Sequence, residues 1–251
     1  MRQTRLAVIG ISWLFTTMSG GIAIASEGHK LLKKSKSALA KVKVVSYRGA
    51  FKGTGWVETL VPQVNGSVLM GHPSKWDEPR YRAQVTFTTS GSTDPIEMTA
   101  GCNGDEYFLV DTKTKKVHVD MDSAVLGSGA RNVQRVLFDA LVSDEPFGDD
   151  LDAKTIEMRG TEDVGGVECH RVFVEGKGVP GDPMIEWLIG TKDSIPRGLR
   201  RIYNHRKDPE NGEKGITELL IANLKVNPRT GKNPFDPTIP EGFTQTDEFA
   251  P

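Results

Sequence analysis

The stretch from Met98 to Asp120, MTAGCNGDEYFLVDTKTKKVHVD, constrains the fold more than any other part of the sequence. Asn103-Gly104-Asp105 follows a short apolar run and is typical of a chain reversal in an antiparallel ribbon. Tyr107–Val110 is a run of consecutive apolar residues, so both faces of that strand need cover. After a lysine-rich turn, Val117 and Val119 alternate with polar residues. The pattern predicts a sheet that is curved around an apolar interior or closed over by another element.

The rest of the chain continues this alternation of strands and turns. We expect about eleven strands, separated by turns rich in glycine, proline, asparagine and aspartate. No linker is long enough to divide the chain, and 37% hydrophobic content is sufficient for one sizeable core. The predicted fold class is mainly β with a few helices (α+β): an incomplete, strongly curved antiparallel β-barrel with helices covering its concave face. Residues 26–251 are expected to form this single half-barrel domain.

Two amphipathic helices interrupt the strands. The first spans residues 28–44 and has a stripe of Leu32, Ser35, Leu39 and Val42 beside a lysine-rich face. Such a helix either docks on a sheet or lies on an anionic membrane. The second spans residues 127–142, has apolar residues at helical spacing, and is expected to plug the concave face. The acidic residues 143–152 that follow lack the spacing of a calcium loop and indicate a solvated connector.

The N-terminus has the three parts of an export signal. Arg2 and Arg5 supply the positive start, residues 6–15 the apolar run, and Ala23-Ile24-Ala25 the cleavage pattern. The alternative, a membrane anchor, needs a longer apolar run. We therefore expect residues 1–25 to be cleaved and the protein to be periplasmic or otherwise exported. Cleavage removes two of the 32 basic and none of the 33 acidic residues, which leaves a net charge of −3 on 226 of the 251 residues. This near-neutral charge argues against a nucleic-acid partner.

The two cysteines, Cys102 and Cys169, have two interpretations. In an oxidising compartment an even number of cysteines invites a disulfide, which makes this pair a candidate bridge. The loop-entropy model gives such a bridge about 4 kcal/mol of stabilisation, less any native strain. The alternative is two buried free thiols on separate strands.

The sequence contains no motif that indicates catalysis, a cofactor or a metal. Its five histidines lack zinc-ligand spacing, and the nucleophile elbow, phosphate loop and dinucleotide fingerprint are absent. Cys169 and His170 are adjacent, but successive side chains on a strand point to opposite faces and cannot form a nucleophile–base pair. We therefore expect no enzyme activity, no cofactor and no metal site.

Large apolar side chains provide the candidate binding surface. We expect these to line one face of the curved sheet: Phe51, Trp56, Val85, Phe87, Tyr107, Leu109, Phe173, Trp187, Ile189, Leu219 and Ile221. Burying hydrocarbon contributes about 0.8 kcal/mol per methylene, so a chain of about ten carbons would bind there without precise polar contacts. The surface predicts loose selectivity for an acyl chain.

Charged residues near this surface have two interpretations each. Glu186 and Arg171 lie within apolar strands. One of them could contact a ligand head group; the alternative is that they are rim charges or belong to a satisfied ion pair. A basic cluster either meets a lipid phosphate or acidic partner, or forms the solvated face of a strand. Its members are Arg197, Arg200, Arg201, Arg206 and Lys207.

Several segments together resemble the periplasmic lipoprotein-carrier superfamily, which includes LolA, LolB and related outer-membrane lipoprotein-sorting proteins. They are the export signal, the first helix running into residues 39–51, the loop Trp76-Asp77-Glu78-Pro79-Arg80-Tyr81, the strand start at residues 103–108, and the closing residues 235–243. The resemblance implies an incomplete β-barrel with an apolar cavity under helices. One position departs from the family: Glu78 stands where an arginine before the loop proline helps to latch the helical lid.

Two functions from different classes are compatible with these features. The first is an exported envelope protein that binds or carries acyl chains of lipid or lipoprotein, without catalysis. It would be a monomer with at most transient membrane or envelope-protein partners. The second is a non-transporting regulatory or protein-interaction module of the same fold in the cell envelope. An enzyme ranks third.

Overall fold

The alternating segments of the sequence form one curved, open sheet in a computed structural model that describes residues 19–73, 80–88, 94–176, 182–204 and 212–250. In these ranges the strands are β1 Val44–Thr54, β2 Val64–Gly71, β3 Arg80–Phe87, β4 Ile96–Cys102, β5 Tyr107–Asp111, β6 Lys116–Asp120, β7 Thr155–Val164, β8 Val167–Glu175, β9 Met184–Gly190, β10 Pro196–Tyr203, β11 Gly215–Val226 and β12 Thr244–Thr246. Their order across the sheet is β12-β6-β5-β4-β3-β2-β1-β11-β10-β9-β8-β7. Only β12 pairs in parallel, with β6. The predicted fold class is confirmed.

Helical segments cover one face of this sheet. Helix α1 spans Ser19–Leu39 and packs on β7, and helix α2 spans Ala130–Gln134. The stripe predicted for the first helix is buried, so α1 docks on the sheet. In the described part of the chain, no helix combines the length and apolar character needed to span a membrane. Residues 1–18 of the predicted export signal, and residues 76–79 of the loop used for the family resemblance, lie outside the described residues.

The second predicted helix is broken into shorter turns. A 3-10 segment, Ser123–Gly129, leads into α2, and two more follow at Asp139–Leu141 and Gly148–Asp152. The helical path ends because Phe138 has φ −115° and ψ 75°, outside the helical region. We call residues 123–152 the plug segment, since they lie over the sheet. The sequence predicted this position for residues 127–142 only, and expected residues 143–152 to be a solvated connector, although Phe147 packs in the inner core.

The sheet has two faces with different contents. The inner face, under α1 and the plug segment, contributes alternate residues of nearly every strand to one large hydrophobic core, including Val45, Val85 and Leu109. The outer face has two smaller clusters. One joins Phe108 and Val110 of β5 to Phe243 of the C-terminal tail. Strand β5 is therefore covered on both faces, as its unbroken apolar run predicts.

The second outer cluster arises where the β7–β8 hairpin bends back over the sheet. The register of β7 shifts between Met158 and Thr161, and Gly160 adopts φ +84°, which favours glycine. Beyond this bulge, Val164 and Cys169 pack against Leu188 of β9. The bend leaves Cys169 in the outer cluster.

The predicted disulfide between Cys102 and Cys169 is not formed. Neither cysteine forms a disulfide, and both are buried. Cys102 belongs to the inner core on β4, whereas Cys169 lies on β8 in an outer cluster. These strands are separated in the sheet order by β3, β2, β1, β11, β10 and β9. The separation prevents a bridge, whose Cα atoms must approach within about 7 Å.

Candidate functional site

Most of the predicted apolar surface lies on the inner face. Eight of its residues are buried in the inner core, and Tyr107 packs against that core from a partly buried position. The eight are Phe51, Val85, Phe87, Leu109, Trp187, Ile189, Leu219 and Ile221. The plug segment contributes Phe138, Leu141 and Phe147 to the same cluster. The sheet and the plug segment therefore cover each other's apolar side chains.

Two residues of the predicted surface lie elsewhere. Trp56 is in a 3-10 turn, Gly55–Val57, rather than in a strand, and its ring meets Tyr203 edge-on at 6.4 Å. The chain turns there because Gly55 adopts φ +65° and its α-carbon has no room for a side chain beside the Lys214 carbonyl. Phe173 points to the outer face, where the Arg159 guanidinium lies 3.3 Å from its ring centroid. Phe173 is therefore not part of the inner surface, whereas Trp56 lies in a turn beside Tyr203 of β10 and Gly215 of β11.

Trp187 is the main contact between the sheet and the plug segment. Phe138 stacks on its ring at 5.9 Å, and Phe147 meets it edge-on at 4.8 Å. The indole Nε1 donates a 2.7 Å hydrogen bond to the Asp150 carboxylate. One sheet side chain therefore touches the middle and the C-terminal end of the plug segment.

Tyr47 of β1 fastens the place where the plug helix breaks. Its buried hydroxyl donates to the Val136 carbonyl and accepts from the Phe138 amide, each at 2.9 Å. These two backbone groups have lost their helical partners, and the hydroxyl satisfies both. Gly49, two residues along β1, leaves the space that Val136 occupies: a Cβ at Gly49 would lie 3.2 Å from the Val136 Cβ. The inner face of β1 is thus shaped to receive this segment.

A crevice of about 450 Å³ remains between the plug segment and the inner face. Its sheet side is formed mainly by Phe51, Trp187, Leu199 and Leu219, and its plug side includes Leu137 and Phe138. This volume falls within the range of about 300–1,000 Å³ that is typical of small-ligand pockets. An apolar chain can lie in it without meeting an unpaired polar strand edge.

The charged side chains that line this crevice are mostly cationic. Arg131 and Arg135 come from the plug segment and Arg201 from β10, whereas Asp139 supplies a carboxylate. Burial, and then the charge of Arg131, lower the pKa of Arg135. The Asp139 side chain reaches solvent, but the surrounding protein removes enough hydration to raise its pKa, against the opposing effect of Arg201. Burial also raises the pKa of Asp150.

Glu186 and Arg171 belong to an ion network on the outer face. Arg171 donates to Glu186 at 2.8 Å, and Arg200 contacts Glu186 at 2.9 Å and Glu162 at 2.6 Å. Arg200 also binds Glu218, which Lys52 approaches to 3.4 Å. The Glu186 side chain is 3% exposed and faces away from the crevice. The network corrects the head-group interpretation of these two residues in favour of the ion pair.

The predicted basic cluster is divided between the two faces. Arg197 is buried and pairs with Asp193, and Arg200 belongs to the outer network. Arg201 alone of the described members lines the crevice, because side chains alternate along β10. Arg206 and Lys207 lie outside the described residues. The sequence prediction did not include Arg131 and Arg135, whose place depends on how the plug segment crosses the sheet.

Comparison with solved structures identifies the same fold in two other proteins. LprF from Mycobacterium bovis is 11% identical, with a TM-score of 0.53 over 84% of this chain and 98% of LprF. MucB is 7% identical, with a TM-score of 0.51 over 85% of this chain and 63% of MucB. This chain therefore spans less than two thirds of the MucB chain. The Mycobacterium tuberculosis lipoprotein LppX matches at 10% identity and a TM-score of 0.49, over 82% of this chain and 98% of LppX.

No protein-family model and no curated protein sequence matches the chain. The similarity to LprF and MucB, at these identities, is a similarity of fold. The incomplete β-barrel that the sequence resemblance implies is confirmed as the fold of this chain.

Proposed function

We propose that this protein is an exported envelope protein that binds acyl chains of lipid or lipoprotein between its plug segment and the inner face of its sheet. The crevice lined by Phe51, Trp187 and Leu219 is the observation that carries this proposal. Both of its sides contribute apolar side chains beside polar ones, so hydrocarbon can lie against Phe51, Leu199 and Leu219 while a polar group stays at the rim. No chemical step is part of this function.

The plug segment supports the proposal because its side chains occupy the position that hydrocarbon would take. Phe138 and Phe147 cover Trp187 through ring packing. An acyl chain can make apolar contacts of the same kind with Trp187. Each methylene that replaces such a contact regains about 0.8 kcal/mol of burial. An acyl chain can therefore recover the burial that Trp187 loses when these rings move, and the hydrogen bonds from Tyr47 and Trp187 to the plug segment set the cost of that movement.

Movement of the plug segment is the step that an experiment can control. The Cβ positions of residues 49 and 136 are 3.2 Å apart, within a few tenths of an ångström of the Cβ separation of about 3.5–4.5 Å in a disulfide. The double variant Gly49→Cys/Val136→Cys, once oxidised, would fasten the plug segment to β1. Reduction of the same sample releases it and provides a matched control, as do the two single variants.

Palmitate uptake, measured by native mass spectrometry, tests the proposal. The wild type and the reduced double variant are expected to bind palmitate, and the oxidised variant at least about tenfold more weakly, which corresponds to about 1.4 kcal/mol. Equal binding by the oxidised and reduced forms would show that the plug segment need not move. Failure of the wild type to bind any acyl species would remove the carrier function and favour the non-transporting interaction module.

A further inference from the structure

The arginines of the crevice have more positive charge than the described residues around them neutralise. Among the described residues, Arg131, Arg135 and Arg201 make no ion pair with a carboxylate, in contrast to Arg171 and Arg200 on the outer face. Asp139 lines the same crevice and Asp150 lies nearby, and Arg201 acts electrostatically on both carboxylates. Even with both aspartates ionised, the three guanidinium groups leave an excess of positive charge.

Arg135 is held by an aromatic ring, and no carboxylate among the described residues pairs with it. Its guanidinium lies 5.0 Å from the centroid of the Phe51 ring, which is a cation–π distance. Its Nε is buried and has no hydrogen-bond partner among the described residues. A buried donor without a partner costs free energy, which an incoming acceptor would recover. The side chain is thus positioned at the boundary between the apolar floor and the charged rim.

The apolar floor and the cationic rim are parts of one crevice. Phe51 contributes to both, since one side of its ring faces Arg135 while the residue lines the space beside Leu219. Guanidinium groups bind carboxylates and phosphates through paired, charge-assisted hydrogen bonds. A ligand that matches this arrangement has an anionic group at one end and hydrocarbon at the other.

We propose that Arg131, Arg135 and Arg201 bind the anionic head group, a carboxylate or a phosphate, of a single-chain amphiphile whose hydrocarbon lies on Phe51, Trp187 and Leu219. This inference rests on the proposed acyl-chain function and adds the class of head group to it. Arg131 and Arg201 contact the anion from opposite walls, the plug segment and β10, so a bound anion would also tie the plug segment to the sheet.

A pair of ligands with the same chain separates the head group from the hydrocarbon. Decanoate and 1-decanoylglycerol are titrated into the full protein by isothermal calorimetry, with decyl phosphate and inorganic phosphate in parallel. The wild type is expected to bind decanoate and decyl phosphate at least about tenfold more tightly than 1-decanoylglycerol. Inorganic phosphate alone is expected to bind much more weakly than decyl phosphate, because it lacks the chain.

The triple variant Arg131→Gln/Arg135→Gln/Arg201→Gln is expected to lose this preference and keep its affinity for 1-decanoylglycerol. The control variant Arg48→Gln/Lys225→Gln/Arg229→Gln removes the same charge at exposed positions outside the crevice and is expected to keep the preference. Arg131→Gln and Arg201→Gln are also made singly, at exposed positions, and each should reduce the preference by about threefold. These single variants keep the test decisive if the triple variant does not fold.

The outcomes separate this inference from the function on which it rests. Equal affinity of the wild type for decanoate and 1-decanoylglycerol would overturn the head-group site and leave acyl-chain binding intact. Equal loss of preference in the control variant would assign the effect to overall charge and also overturn it. Inorganic phosphate binding as tightly as decyl phosphate would indicate a free-anion site instead. Failure of every acyl ligand to bind would overturn the proposed function itself.

Discussion

Tyr47 on the sheet and Val136 on the plug segment are joined by a buried 2.9 Å hydrogen bond at the point where the plug helix breaks. The same hydroxyl accepts the Phe138 amide. Removing it by Tyr47→Phe leaves a carbonyl and an amide without partners, and we expect a loss of about 1–3 kcal/mol in unfolding free energy. Urea unfolding measures this loss, and hydrogen exchange of residues 130–142 should rise more than that of β1.

Tyr203→Phe provides the control for this variant. It removes a hydroxyl that has no hydrogen bond to a described residue, and its expected effect on unfolding is under about 0.5 kcal/mol. Equal destabilisation by both variants would show that the Tyr47 hydroxyl does not fasten the plug segment.

Arg200 is the centre of the outer ion network, and its removal is expected to be costly. It contacts Glu162, Glu186 and Glu218, of which Glu186 is almost fully buried. Arg200→Gln removes the charged hydrogen bonds to these carboxylates but leaves Arg171 beside Glu186 and Lys52 beside Glu218, so we expect a loss of about 1.5–3 kcal/mol in urea unfolding. Arg48→Gln is the control, since Arg48 is exposed and forms no ion pair with a described residue, and its expected effect is under about 0.5 kcal/mol. A small effect of Arg200→Gln would mean that the carboxylates are protonated or solvated in its absence.

Asp150 should make stability depend on pH in a defined direction. Burial raises its pKa above the ordinary value of 3.8, so the folded state holds a proton that the unfolded state has released. This contribution to stability is complete below pH 3.8 and is lost as pH rises through the folded-state pKa. Asp150→Asn keeps an oxygen that accepts from the Trp187 indole and removes the ionisation, so it should be more stable than wild type at pH 7.

Thermal unfolding of both proteins between pH 4 and pH 7 measures this difference, which should shrink toward acid. Asp149→Asn removes a neighbouring negative charge that also raises the pKa of Asp150, so it should weaken the pH dependence without abolishing it. A less stable Asp150→Asn variant at pH 7 would show that the charged hydrogen bond to Trp187 outweighs the cost of burying the carboxylate.

The two cysteines should react with a thiol reagent only after the protein unfolds. Cys102 is fully buried, and burial raises the pKa of Cys169 to about 11, so neither forms an accessible thiolate at neutral pH. Ellman's reagent should therefore detect no thiol in the native protein. After unfolding without a reductant it should detect both cysteines. Detection of none after unfolding would demonstrate the disulfide that the structure lacks.

The sequence predicted the inner face wherever apolar and polar residues alternate. Val85 and Phe87 of β3 lie where their spacing places them. It could not assign Phe173, because Val172, Phe173 and Val174 are consecutive apolar residues and period two gives no face for them. The strand register, which sets Phe173 opposite Glu157 and Glu186, decides the matter.

The arginine rim could not be predicted for a different reason. A continuous helix over residues 127–142 places Arg131 and Arg135 on its polar side, as solvated charges. The break after α2 and the path of the plug segment over β10 bring them beside Arg201 instead. The break depends on the Tyr47 hydroxyl, which is distant in sequence and satisfies the freed backbone groups. Local periodicity contains no information about such a partner.

The pairing of β1 with β11 determines when the sheet can be completed during synthesis. Gly49 faces Ile221, about 170 residues later in the chain. The ribosome therefore synthesises β1 to β6 long before β11, the second neighbour of β1. Until β11 is made, the backbone amides and carbonyls along one edge of β1 have no strand partner. Contacts so remote in sequence fold slowly and leave an edge open to association with other chains. The nascent protein should consequently need a chaperone until residues 215–226 have emerged.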